Sequence, residues 1–181
     1  MDKIKALTNF IKEQKLIYID TINTSRLIID DKVRNYCIEN KCGQYGNNFM
    51  CPPYIGEVTD FRNKLKEYKA SIIVLEKERI LNPINREEVY RAADRLNNKL
   101  LEIETKAKEL GYKNCKVLFA GNCRFCLPCK IQLGYTKCPY PNKGRPSSEG
   151  LGIDVIKTLD KIGINLEFKE HEVTWVGMIL L

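Results

Sequence analysis

SIIVLEKERILNPINREEVYRAADRLNNKLLEIETKAKELGYKNCKVLFA, residues 71–120, reads as a strand, a long helix and a second strand. SIIVLE at 71–76 is a β-branched apolar run, which predicts a buried strand. Asn85 is a natural helix cap, and Glu88 three residues on resembles the partner in a capping box. Val89, Ala93, Leu96, Leu100, Ile103, Ala107 and Leu110 then step by 4, 3, 4, 3, 4 and 3, which is one face of a helix. Gly111 stops it. KVLFA at 116–120 predicts the next strand. A seam this long could serve a coiled coil, but strands on both sides make it a helix that covers a sheet.

The flanks extend the pattern. Ile4, Leu7 and Ile11 predict an amphipathic helix over residues 3–14, and LIYID at 16–20 is strand-like. Residues 21–36 have no readable period. Val58, Phe61, Leu65 and Tyr68 mark a short helix. After a second irregular stretch, Ser147 or Ser148 caps a helix with apolar positions Leu151, Val155, Ile156, Leu159 and Ile162, ended by Gly163. INLEF at 164–168 and WVGMILL at 175–181 read as closing strands. The expected class is α/β, an α+β layer sandwich: a mixed sheet of about four to five strands covered by helices, with two cysteine-rich metal-binding loops at 36–56 and 121–150.

Length and composition agree with this. The chain has 181 residues, which fits a single domain over 1–181, with or without one inserted lobe. The 44% hydrophobic fraction fits a chain with a real core. No apolar run reaches the roughly 18–20 residues that span a bilayer. The N-terminus lacks the apolar core and cleavage site of a signal peptide, so the expected setting is soluble, cytoplasmic and away from membranes. The formal charge of +7 is spread along the chain, which argues for a solvated surface rather than a nucleic-acid site.

Cysteine departs from the ordinary composition, with 8 in the chain against one histidine, His171. In a reducing compartment, clustered cysteines point to metal or redox chemistry rather than disulfides. A single histidine excludes mixed multi-His sites within one chain. The second loop reads Cys123-x2-Cys126-x2-Cys129-x8-Cys138-Pro139. Three thiolates at that spacing wrap one face of a cluster, and the remote cysteine closes it; only the last gap is longer than in a bacterial ferredoxin. A [4Fe–4S] cluster is the first reading. Zinc is the alternative, although zinc sites use two separated cysteine pairs.

The first loop reads Cys37-x4-Cys42-x8-Cys51-Pro52-Pro53. Its thiolates suit three corners of a second cluster, a zinc site, or a site shared with the second loop. Cys115 reads as a small apolar residue; as a ligand instead, it would bring the ligands to eight cysteines, which suit two four-cysteine clusters, and without it one cluster would keep an iron open to an exogenous ligand. Gly43, Gly46, Gly121, Gly134 and Gly144 let amide N–H groups approach sulfur. Lys41, Arg124, Lys130, Lys137, Lys143 and Arg145 could offset cluster charge, and Arg145, between Gly144 and Pro146, is the best candidate anion-binding cofactor contact. Tyr45, Tyr54, Tyr135 and Tyr140 lie near the loops and would cover a metal from solvent.

CIENKCGQYGNNFMCPP and AGNCRFCLPCKIQLGYTKCPYPNKGRPSSEGLGIDV resemble the "predicted metal-binding protein" family, the domain of unknown function numbered 2284. The resemblance runs from about Val33 to the C-terminus. It rests on the CPP at 51–53, the triple-cysteine run at 123–129, the Cys-Pro at 138–139 and the segment from Arg145 to Val155. RPSSEG stands where RPSMEA is more usual, and the first cysteine pair is wider than usual. The resemblance implies metal binding, as an iron–sulfur cluster, and electron transfer or redox support of a partner enzyme; it implies no particular reaction.

Three functions follow from these readings. One is an iron–sulfur protein exchanging single electrons with a redox partner protein. Another is an enzyme whose open-iron cluster, or a pocket between the loops, handles a small anionic or thiol substrate. The third is a zinc-stabilised binding module using the basic surface. A homodimer would add cysteines of a second chain around one metal.

Overall fold

The computed structural model describes residues 2–181, with side chains for all of them except Tyr18 and Ile19. Within the span that length assigns to one domain, the chain forms two compact units, both discontinuous. The first comprises the residues up to Thr24, Tyr68–Ala120 and Leu166–Leu181; the second comprises Ser25–Glu67 and Gly121–Asn165.

The first unit is a four-stranded sheet with helices. Its elements are α1 (Lys3–Glu13), β1 (Ile17–Asn23), β2 (Ala70–Arg79), α4 (Arg86–Glu109), β3 (Lys116–Leu118) and β4 (Glu172–Leu180), in strand order β1-β2-β4-β3. Every adjacent pair is antiparallel. The parallel relation that a strand–helix–strand segment suggests does exist, between β2 and β3, but the last strand of the chain inserts between them. A mixed sheet is therefore expected from chain order, and an antiparallel one results.

β2 owes its central place to composition. Ile72, Ile73 and Val74 are all fully buried, so both faces of this strand are covered. α4 presents the predicted seam: Ala93, Leu96, Leu100, Ile103 and Ala107 are fully buried. It packs on β2, β3 and β4 and crosses β4 closely at Gly177, where a Cβ would come within 2.7 Å of Leu100 Cδ1. Arg95 fixes the register of helix on strand through Glu76 (Nε–Oε1, 2.8 Å) and Glu78 (Nη2–Oε2, 2.8 Å). The buried Asn97 donates to the carbonyl of Ala120 at 3.1 Å and accepts from its N–H at 2.9 Å, closing the end of β3.

Three local expectations are corrected. Asn85 does cap α4, accepting from the N–H groups of Glu87 and Glu88, but Glu88 turns away and accepts from Leu81 and Asn82 instead of completing a box. INLEF at 164–168 forms no strand, because β4 already has a partner on each side, and Phe168 is 80% exposed. The last helix begins later than expected: Asp154, not Ser147 or Ser148, is its cap, accepting from Lys157 N–H at 2.9 Å.

The second unit holds α2 (Asp31–Ile38), α3 (Val58–Leu65) and α5 (Val155–Lys161), with 3-10 turns at Lys130–Leu133 and Glu149–Leu151. Its core includes Val33, Phe49, Val58, Phe61, Leu65, Ile153 and Leu159. An antiparallel bridge joins Ile29 to Ile153, flanked by Asp30 N–H to Gly152 O (2.9 Å) and Asp154 N–H to Ile28 O (2.8 Å). Among the described residues no helix is long and apolar enough to cross a membrane.

Candidate metal centre

Seven of the eight cysteines lie in the second unit; Cys115 lies in the first, buried at 1% exposure, as its small apolar reading expects. All eight are thiols without a disulfide. Cys37 belongs to the last turn of α2 rather than to a loop, while Cys42 and Cys51 lie in the turns that follow. Cys123, Cys126, Cys129 and Cys138 lie in the irregular stretch 121–150.

A single buried side chain ties the two stretches together. Asn48, 2% exposed, donates through Nδ2 to the carbonyl of Cys123 at 2.8 Å and to Gln44 Oε1 at 3.2 Å. Its Oδ1 accepts from Met50 N–H at 3.0 Å. Gln132 adds a second tie, donating to the carbonyl of Asn47 at 3.0 Å. Gly144 gives a third contact: it lies against the Met50 side chain, where a Cβ would stand 2.9 Å from the methyl and would have to displace it. No sequence period signals Asn48, which reads as one more turn residue in GQYGNNFMCPP.

The thiols are near enough to act on one another. Burial pushes the Cys51 thiol up to about 12, and the thiols of Cys42, Cys37, Cys123 and Cys129 add to the rise. Cys51 is thus the meeting point of both sets. Burial also raises Cys37, with Cys42 and Glu149 adding to it and the Arg34 guanidinium opposing it. Cys126 is raised by burial and by Cys129 and Cys138, while Lys130 pulls it down. Burial raises Cys123 as well, but the backbone N–H groups of Phe125 and Arg145 donate to its sulfur and pull the other way. These are the amide–sulfur contacts that the glycine-rich stretches predict.

Arg145 therefore contributes its main chain to Cys123. Its side chain donates through Nη1 to the carbonyls of Pro141 (3.1 Å) and Gly144 (2.6 Å). Around the thiols Phe125 and Tyr140 meet edge to face at 5.4 Å, and Lys143 Nζ sits 4.5 Å from the Phe125 ring centroid. Tyr54, Tyr135 and Tyr140 are all exposed. Among the described residues, no three His, Cys, Asp or Glu side chains converge closely enough to grip a single metal ion as they stand.

The family profile of DUF2284, described as "Predicted metal-binding protein", matches residues 20–181. The chain belongs to this family. That match begins within β1 and takes in both cysteine-bearing stretches and the C-terminal strand. No curated protein and no solved structure matches the chain significantly.

Proposed function

We propose that this member of the DUF2284 family is an iron–sulfur protein that passes single electrons to or from a partner protein. Cys123, Cys126, Cys129 and Cys138 are the ligands of one [4Fe–4S] cluster. Cys37, Cys42 and Cys51 are ligands of a second site. The observation that carries the reading is the gathering of seven thiols into one compact unit, with Cys51 within electrostatic reach of both sets.

The donor set suits the group. It is all sulfur, which favours iron–sulfur clusters and zinc over hard cations. Thiols that sense one another without converging on a point match a cluster, in which each ligand sulfur binds a different iron. When bound, such a cluster takes up and releases one electron at a time. The residues supply the rest. N–H groups of Phe125 and Arg145 donating to Cys123 sulfur favour the reduced state. Lys130 beside Cys126 offsets the negative charge of thiolates. The thiols need a reducing setting such as the cytoplasm to stay free.

The test is a stepwise reduction of the full chain, purified without oxygen, followed by visible and EPR spectroscopy. Visible absorption that bleaches reversibly on reduction, and that falls in Cys126→Ser, is the expected result. A colourless chain holding zinc, with no reducible centre, would overturn the reading in favour of a zinc-stabilised module.

A further inference from the structure

The net charge is less even than its total suggests. The stretch 121–148 holds five Lys or Arg and no Asp or Glu, which is +5 of the chain's +7. The rest of the second unit, Ser25–Glu67 with residues 149–165, balances at nine Lys or Arg against nine Asp or Glu. The same stretch displays apolar side chains. Phe125, Leu127, Leu133, Tyr135 and Tyr140 are five of the thirteen large apolar or aromatic side chains exposed among the described residues. A single exposed leucine is ordinary, but five such side chains within 16 residues, rimmed by cations, mark an interaction surface. We infer that this face docks an acidic electron-carrier protein, whose carboxylates meet Lys130, Lys137 and Lys143 around the apolar side chains. The inference rests on the iron–sulfur reading above and gives its partner a chemistry.

The face is fixed before any partner arrives. Gln132 N–H donates to Cys129 O (2.9 Å), Gly134 N–H to Ile131 O (3.0 Å) and Tyr135 N–H to Lys130 O (3.2 Å). At the other end Lys143 N–H donates to Tyr140 O at 3.0 Å, and the Tyr140 ring meets Phe125 edge to face. A surface already held in this way loses little entropy on docking. The proposed ligands lie among these side chains. Phe125 and Leu127 flank Cys126, and Leu127, 67% exposed, stands between Cys126 and Cys129. A carrier seated here brings its own redox centre next to the cluster ligands. One electron then passes from the reduced centre to the oxidised one, with no bond made or broken.

Two features favour a protein over single-stranded nucleic acid, which also uses cations and aromatic rings. Bases stack on open ring faces, but Lys143 Nζ lies over the Phe125 ring, 4.5 Å from its centroid, and Tyr140 stands against the same ring. Leu127 and Leu133 give a base nothing to stack on, whereas they suit the apolar centre of a protein interface. The exposed Lys137 suits steering. A charge in water is too well screened to do much for a thiolate, but it speeds encounter with a partner of opposite sign.

The experiment uses the iron-loaded full chain, prepared without oxygen. Stopped-flow electron exchange is followed with a plant-type ferredoxin, which is acidic, and with cytochrome c, which is basic. Each rate is divided by that with a small zwitterionic viologen, which needs no docking face and reports the centre itself. The ferredoxin rate is expected to fall about tenfold or more as salt rises, while the cytochrome c rate does not fall. Lys137→Glu combined with Lys143→Glu is expected to slow ferredoxin about tenfold or more and to flatten its salt dependence. Leu127→Ser is expected to slow ferredoxin with the salt dependence kept. No exchange with ferredoxin, a ferredoxin rate that ignores salt, or a double variant within about twofold of the parent would overturn the docking face. Tight binding of a single-stranded oligouridylate that the double variant loses would overturn it in favour of a nucleic-acid site. The salt dependence of the unaltered chain needs no variant to fold. A chain with no centre that the viologen can reduce sinks the iron–sulfur reading and this proposal together; a reducible centre whose ferredoxin rate ignores salt removes the docking face alone.

Discussion

Asn48 joins the two cysteine-bearing stretches through one buried side chain, so its removal tests whether they form one unit. Asn48→Ala deletes the bonds to Cys123 O (2.8 Å), Gln44 Oε1 (3.2 Å) and from Met50 N–H (3.0 Å). A net hydrogen bond is worth roughly 0.5–1.5 kcal/mol, and an orphaned buried partner costs about 1–3 kcal/mol. Cys123 and Met50 are only half-buried, so water re-satisfies part of the loss. The sum is a destabilisation of about 2–4 kcal/mol. Asn48→Asp keeps the bond from Met50 but sets an anion against two acceptors, so at neutral pH it is at least as damaging. Burial against acceptors raises the introduced carboxyl above its unfolded value. The variant is therefore relatively stable below the unfolded carboxylate pKa and loses stability as pH rises through the folded one. The assay is urea unfolding of metal-free protein followed by circular dichroism, at neutral and acid pH. If both variants stay within about 0.5 kcal/mol of the parent, the pin has no structural role and the joint unit is wrong.

Other outcomes follow from named contacts. With the Cys51 thiol near 12 and an ordinary thiol near 9.0, its thiolate fraction at mildly alkaline pH is lower by roughly 1000-fold. Greater nucleophilicity of a high-pKa thiolate offsets part of this, so peptide mapping after iodoacetamide should find Cys51 alkylated at least about tenfold more slowly in metal-free folded protein than in urea; equal rates would contradict its burial. Because its folded pKa is raised, the stability linked to Cys51 is present below pH 9.0 and lost as pH climbs towards about 12. Gly152→Ala forces a left-handed residue with its Cβ 2.7 Å from Val58 Cγ1, a loss of about 2–4 kcal/mol that Val58→Ala should partly relieve in a thermal melt. Asn97→Ala removes both bonds to Ala120 and should speed hydrogen exchange at the Ala120 amide by at least about tenfold, while α1 amides stay protected.

The parts of the fold that could be read in advance are those whose side chains obey one period. SIIVLE is buried on both faces and α4 buries one seam, so composition and spacing sufficed. α2 could not be read because it breaks the rule. Its Tyr36 is 71% exposed and Ile38 59% exposed, while Arg34 is buried and donates to the carbonyl of Gly56. The pairing of β4 between β2 and β3 is also invisible locally, since it sets Ile179 opposite both Ile72 and Val117, each far away in the chain. At the candidate centre the cysteine spacing names the donors, because chelation by adjacent thiols depends on short chain intervals. What brings Cys51 to Cys123 and Cys129 is a set of single contacts from Asn48, Gln132 and Gly144. Those residue types are common in any turn, so nothing in their identity announces the role.

The most direct test of the account is the number of iron, sulfide and zinc atoms per chain in protein purified without oxygen. The account predicts iron and sulfide in equal amounts, about four of each or about eight, and little zinc. Stoichiometric zinc with no iron or sulfide would contradict it and leave the seven thiols as a structural zinc site.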